Sequence, residues 1–248
     1  DLIENGYTKR KAQALVYGGG LKIYTAIDFD VQDALETVYE NRKGVYEENS
    51  QSAMVVMDYK GRVLGIVGGL GKKDNVMGFN RAVDAKRQPG SAFKPLAVYA
   101  PALEKSLKDP NFDFYWSTLI KDAPTEDIKV DGKPWPTNEG GGYSSKKLTI
   151  QSGIARSLNT ISARTLLQVG LDYSYNFLTE KFHISSMIDQ DCAPAPLATG
   201  ALTNGASVLD ITAAYQAFGN GGKYYYPYCY YKVTDFQGNT ILESTPDT

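Results

Sequence analysis

Ser91 and Lys94 stand three residues apart in RQPGSAFKP (87–95), directly after a Pro-Gly pair. If this stretch opens a helix, positions i and i+3 share a face, and the hydroxyl and the amine are neighbours. A serine hydroxyl is a weak nucleophile until a base takes its proton. A lysine amine is ordinarily charged at neutral pH, but burial disfavours the charge and makes the amine a base. A helix N-terminus adds unpaired N–H groups for a developing oxyanion and a dipole that lowers the amine's pKa. Pro89-Gly90 lets the chain turn sharply into such a helix. The pair is a candidate for Ser-Lys nucleophilic catalysis. The same spacing also arises on a solvated helix face that carries no chemistry.

A second cluster, Ser157-Leu158-Asn159, lies between two short apolar periodic stretches, 148–156 and 160–169. Residues i and i+2 do not face each other in a regular helix, so Ser157 and Asn159 act together only at a break, which is expected here. There Ser157 can relay a proton between Lys94 and a leaving group. Asn159 can hold a substrate amide through its carboxamide. The plain alternative is a serine ending one helix and an asparagine opening the next.

Other chemistries are poorly served. His183 is the only histidine and has no metal-ligand neighbours, so a serine nucleophile here is expected to use a base other than histidine. Cys192 and Cys229 lack CxxC spacing; they are either free thiols or, outside the cytosol, a disulfide. The net charge of −2 and the lack of a long basic run argue against nucleic acid as the main partner. No apolar run approaches the ~20 residues that span a bilayer. The chain opens on Asp1 without a signal peptide, so it is expected to be a piece of something longer.

The elements that must position these residues read as follows. Residues 21–27 are a strand, and 29–41 a helix with Val31, Ala34, Leu35, Val38 and Tyr39 on one face and Asp28 or Asp30 as its cap. Residues 53–68 are a hairpin turning at Gly61, apolar enough to lie centrally in a sheet covered on both faces. Residues 91–107 are a helix with Leu96, Tyr99, Ala100 and Leu103 on one face and a kink at Pro101. Residues 108–147 lack any period and read as a long irregular excursion. Residues 207–218 are a helix capped by Ser207 with Asp210 at N3 and Gly219 as its stop, and 224–243 a second hairpin around Gln237-Gly238-Asn239. Strands and helices do not alternate as βαβ units, so the fold class is α+β.

Several longer stretches carry a family likeness. FNRAVDAKRQPGSAFKPL (79–96), SGIARSLNT (152–160), LATGALTNGASVLDITAAYQAFGNGG (197–222) and SAMVVMDYKGRVLGIVGG (52–69) together resemble the transpeptidase domain of penicillin-binding proteins, above all the bifunctional high-molecular-weight, class A type. The likeness covers roughly residues 20–245. It implies the penicillin-binding-protein/serine β-lactamase-like fold: a central antiparallel sheet with helices on both faces. Residues 1–50 would be an N-terminal linker region and 51–248 the transpeptidase domain.

The resemblance also implies a function. Ser91 would attack the penultimate D-Ala carbonyl of a peptidoglycan stem peptide, with Lys94 and Ser157 as its catalytic partners and Asn159 as a substrate contact. An amine from a neighbouring strand would take the acyl group, and β-lactams would acylate the same serine. Trp135 and Tyr143, in PWPTNEGGGY (134–143), fall where the family builds part of the cleft wall; either they line the groove or they pack inward. No metal or organic cofactor is implied. The location would be the extracytoplasmic face of the membrane, with an anchor upstream. The rival readings are a carboxypeptidase or β-lactamase resolved by water, and a non-catalytic β-lactam sensor. One departure stands out. The family's third motif, K-[ST]-G, is absent; GGKYYY (221–226) puts tyrosines after its lysine. The strand that carries it, and the C-terminal strands around it, are expected on a further segment or a second chain.

Overall fold

The computed structural model describes residues 1–41, 50–72, 78–130 and 132–244. Residues 42–49, in the expected N-terminal region, and 245–248, at the expected approach to the third-motif strand, lie outside them. The chain is α+β, with helices and antiparallel strand pairs, and it divides into two compact units, Asp1–Asp84 with Tyr215–Thr248, and Ala85–Ala214. No described helix is long and apolar enough to cross a membrane.

In the first unit, Lys22–Thr25 pairs antiparallel with Tyr230–Thr234, which pairs with Thr240–Glu243. Met54–Met57 and Val63–Val67 form the expected hairpin. Gly61 turns it with φ +82°, and a Cβ there would lie 2.5 Å from the Tyr226 carbonyl oxygen, so glycine is required twice over. An Arg62–Tyr228 bridge joins hairpin and sheet. The helix Phe29–Asn41 is capped by Asp28, whose Oδ1 accepts from the N–H groups of Asp30 and Val31. It packs Leu35 and Tyr39 on Val67, with Val31 beside them. Ala34 and Val38, expected on the same face, are exposed; the buried stripe is the single i, i+4, i+8 ridge that a two-stranded hairpin can cover. A further helix, Lys9–Gly18, has no counterpart in the sequence pattern because only Ala12 on it is buried.

The second unit is built around the helix Asn159–Val169. It buries Thr160, Ile161, Ser162, Leu166 and Val169 against the helices Ala100–Lys108, Leu171–Glu180 and Pro194–Thr199. Phe93, Leu96, Leu178, Leu197 and Leu202 complete a core with essentially no exposure.

The expected helix over 91–107 is in fact three segments: a 3-10 turn Gly90–Phe93, a π-helical turn Pro95–Tyr99, and an α-helix Ala100–Lys108. The irregularity falls before Pro101 rather than at it. Pro101 has no N–H to give the Ala97 carbonyl four residues earlier, and the fully buried Ser174 hydroxyl donates to that carbonyl instead. Leu103, expected in the core, is half-exposed. The stretch 108–147 is also more ordered than its composition suggests. Leu119–Lys121 pairs with Lys147–Thr149, and Thr125–Val130 with Lys133–Trp135. Ser207 and Asp210 form the expected capping box of the helix Val208–Tyr215, and a 3-10 turn Gln216–Gly219 ends it.

Candidate active site

The approach to Ser91 is set by backbone packing. Segment 87–90 lies against 200–206 through Arg87–Ala206 hydrogen bonds of 3.1 and 2.9 Å and a 3.3 Å bond from Gly90 N–H to the Gly200 carbonyl. A Cβ on Gly200 would stand 2.1 Å from the Gly90 carbonyl oxygen, and one on Gly205 would stand 2.5 Å from the Arg87 backbone. Both glycines have positive φ. The chain then enters the 3-10 turn, in which Ser91 is exposed and Phe93 buried, and Lys94, just after it, is buried too. Lys94 N–H donates to the Ser91 carbonyl, so the two residues sit one 3-10 turn apart.

Lys94 is 2% exposed, and its ammonium meets three acceptors: the Ser157 carbonyl at 2.7 Å, Ser157 Oγ at 3.2 Å and Asn159 Oδ1 at 2.6 Å. A lysine has three N–H donors, so this set uses all of them. The Ser91 hydroxyl is not among these partners. Burial pushes the Lys94 pKa down to about 8, and the negative charge of Glu139 partly offsets that. The amine is therefore poised near neutrality while being held by uncharged acceptors.

The expected break supplies two of those acceptors from one residue. The helix Ile150–Ala155 ends with Ser157 N–H on the Ile154 carbonyl and Leu158 N–H on the Gly153 carbonyl. Ser157 takes φ +52°, a left-handed conformation costing roughly 1–2 kcal/mol for a non-glycine residue. That turn restarts the chain as a helix at Asn159 and aims both oxygens of Ser157 at Lys94. Gly153 lets the two helices meet: a Cβ there would lie 2.6 Å from Ile161 Cγ2. Asn159 Nδ2 donates to the Thr137 carbonyl at 3.0 Å, which leaves its second N–H as the unassigned hydrogen-bonding group. Its acceptor, expected to serve a substrate, faces Lys94 instead.

Sequence reasoning missed the buried cluster behind this site. Asp122 is 1% exposed and accepts from Asn138 Nδ2 (2.8 Å), Thr160 Oγ1 (2.6 Å) and Ser144 N–H (2.8 Å). Burial alone would raise its pKa, but the hydrogen bonds from Thr160, Ser144 and Asn138 outweigh it and hold the carboxylate at about 2. The partners are 16 to 38 residues away in sequence, and no periodicity marks them. The only local hint is Thr160, a hydroxyl in the first turn of a helix.

Lys94, Ser157 and Asn159 are thus brought together, with Ser91 on the adjoining turn. Trp135 ends a strand two residues before Thr137 and is partly buried; Tyr143 is half-exposed. Neither forms a hydrogen bond to Ser91, Lys94, Ser157 or Asn159 among the described residues. Cys192 and Cys229 carry free thiols. Among the described residues, no group of acidic, histidine and cysteine side chains could hold a metal ion.

Comparison with known proteins gives consistent results. The profile of the penicillin binding protein transpeptidase domain matches residues 52–247. The chain is 29% identical to Penicillin-binding protein 1A of Clostridium acetobutylicum, over 98% of its own length and 31% of the relative's. It is 32% identical to Penicillin-binding protein 4 of Bacillus subtilis, over 90% of the chain and 33% of that protein. It therefore spans about a third of these relatives. The PonA1 protein of Mycobacterium tuberculosis, solved in complex with penicillin V, shares the fold with a TM-score of 0.75 at 23% identity, over 99% of this chain and 63% of that one.

Proposed function

This chain belongs to the penicillin-binding protein transpeptidase family, and on that premise we propose that it is a serine D-Ala-D-Ala transpeptidase acylated at Ser91. The observation that carries the reading is the buried Lys94, bonded at once to Ser157 and Asn159. Neutral Lys94 takes the Ser91 Oγ proton as the oxygen attacks the penultimate D-Ala carbonyl of a stem peptide. The resulting ammonium passes a proton through Ser157 Oγ to the departing D-Ala nitrogen, leaving an acyl-enzyme. The second Nδ2 hydrogen of Asn159 donates to a carbonyl of the donor peptide. An acceptor amine then attacks the ester, and Ser91 recovers its proton. β-Lactams form the same ester without a leaving fragment and remain bound.

The remaining oxyanion donor and the contacts to the substrate carboxylate belong to a K-[ST]-G strand, which residues 1–248 do not contain. We assign it to a further segment or a second chain. The site works on peptidoglycan outside the cytoplasm, with an anchor elsewhere in the protein.

Fluorescent penicillin tests the assignment. The label should appear in the tryptic peptide Gln88–Lys105, since Pro95 blocks cleavage after Lys94. Ser91→Ala should abolish it, and mapping to another serine would overturn the assignment. Incubation with a D-Ala-D-Ala donor and an amine separates the alternatives: cross-linked product supports the transpeptidase, free acid alone marks a carboxypeptidase, and labelling without turnover marks a sensor.

A further inference from the structure

Asp122 is buried with no cation bonded to it among the described residues, and its position points to a task beyond holding a loop. A carboxylate can only accept hydrogen bonds. Facing Asp122, Asn138 must present its NH2, which turns its Oδ1 toward the Thr160 N–H at 3.2 Å. Asn138 is thereby fixed in one amide orientation against the first turn of the helix Asn159–Val169.

The residue before it, Thr137, offers its carbonyl to Asn159 Nδ2. That bond decides which way the Asn159 carboxamide faces. With Nδ2 on Thr137, Oδ1 faces Lys94 at 2.6 Å. The flipped amide would set its NH2 against the lysine ammonium and its oxygen against the Thr137 carbonyl, two repulsive contacts in place of two hydrogen bonds.

We propose that Asp122 is a positioning residue: through Asn138 and Thr137 it fixes the orientation of the Asn159 carboxamide, and so what the Lys94 amine meets. Asp122 touches neither substrate nor the reacting atoms. This inference rests on the reading of Lys94 as the base. Its low pKa keeps Asp122 ionised, and therefore acceptor-only, throughout the working range.

The test is the rate of acylation by a fluorescent penicillin against pH, with thermal unfolding measured on each variant. Asp122→Asn preserves volume but turns one acceptor into a donor, facing either Asn138 and Thr160 together or the Ser144 N–H. The folded variant should acylate about 10- to 100-fold more slowly, the scale of a small misplacement at a reacting centre. The acid limb of its profile should also move to lower pH, because Lys94 loses an acceptor that favours its charged form. The double variant Asp122→Asn/Asn138→Asp moves the acceptor-only group one residue across the same contact and should restore both rate and limb. If Asp122→Asn does not fold, Asn138→Ala leaves Asp122 bonded to Thr160 and Ser144 and should shift the limb in the same direction. A folded variant with wild-type rate and limb overturns the proposal, as does a folded double variant as impaired as Asp122→Asn. Labelling that does not depend on Lys94 would sink the reading of the site itself. An unmoved limb in a Lys94-dependent protein sinks only the link through Asp122.

Discussion

Lys94 Nζ lies 2.6 Å from Asn159 Oδ1, in a site where burial opposes its charge. Among the described residues no carboxylate bonds the amine; two oxygens of Ser157 and one of Asn159 take its hydrogens. A buried carboxylate partner would have held the lysine charged. Neutral acceptors satisfy its donors without fixing the proton, so the group can be structural glue and a base at once.

The first prediction concerns that proton. If Lys94 is the base, as proposed, acylation should rise with pH through about 8 and level off above it, because only the neutral amine can take the Ser91 proton. Glu139→Gln removes a charge that favours the ammonium, so its limb should lie at lower pH than that of the parent. Lys94→Ala should slow acylation by about 10²–10⁴-fold. Lys94→Arg should do no better, because a guanidinium does not give up its proton in this range. A wild-type profile flat across pH 8, or an active Lys94→Arg protein, would contradict the role.

Parts of the fold and of the candidate site could be read from the sequence because their signals are local. The Ser91–Lys94 spacing, the break at Ser157 and the Ser207–Asp210 box each span four residues or fewer. The Asp122 cluster could not be read, since its chemistry exists only once loop, strand end and helix start meet. The strands Leu119–Lys121 and Thr125–Val130 were hidden for a related reason. They are short, largely exposed and charged, so tertiary pairing rather than alternation makes them strands. Pro101 marks an interruption in the 91–107 helix, but not its form. Which carbonyl goes unpaired, and which side chain answers it, is decided by Ser174 more than seventy residues on.

The second prediction contrasts two glycines of similar φ. Gly200 has φ +74° and no room, since a Cβ would stand 2.1 Å from the Gly90 carbonyl oxygen. Gly221 has φ +80° and open space around it. Gly221→Ala should cost only the left-handed backbone, about 1–2 kcal/mol. Gly200→Ala adds displacement of segment 87–90 and should cost about 3 kcal/mol or more, the range of overpacking on top of strain. Because that segment leads directly into Ser91, acylation by the folded fraction should fall as well. Denaturant unfolding of both variants checks the order, and equal losses would mean the close approach is not rigid.

The last prediction concerns Ser174 and Pro101. Pro101 leaves the buried Ala97 carbonyl without its usual helical donor, and the Ser174 hydroxyl supplies one. Ser174→Ala should therefore cost about 1–3 kcal/mol, the penalty for an unsatisfied buried acceptor. The dependence on Pro101 gives the sharper test. Pro101→Ala restores an N–H four residues after Ala97, so in that background the carbonyl has a backbone donor and Ser174→Ala should cost clearly less. A double-mutant cycle by denaturant unfolding measures the difference, with coupling expected at about 1 kcal/mol. Zero coupling would mean that the hydroxyl stabilises by packing alone and that the π-helical turn Pro95–Tyr99 satisfies Ala97 by itself. Coupling of the expected sign would tie the irregular segment that carries Lys94 to a single hydrogen bond from the helix Leu171–Glu180.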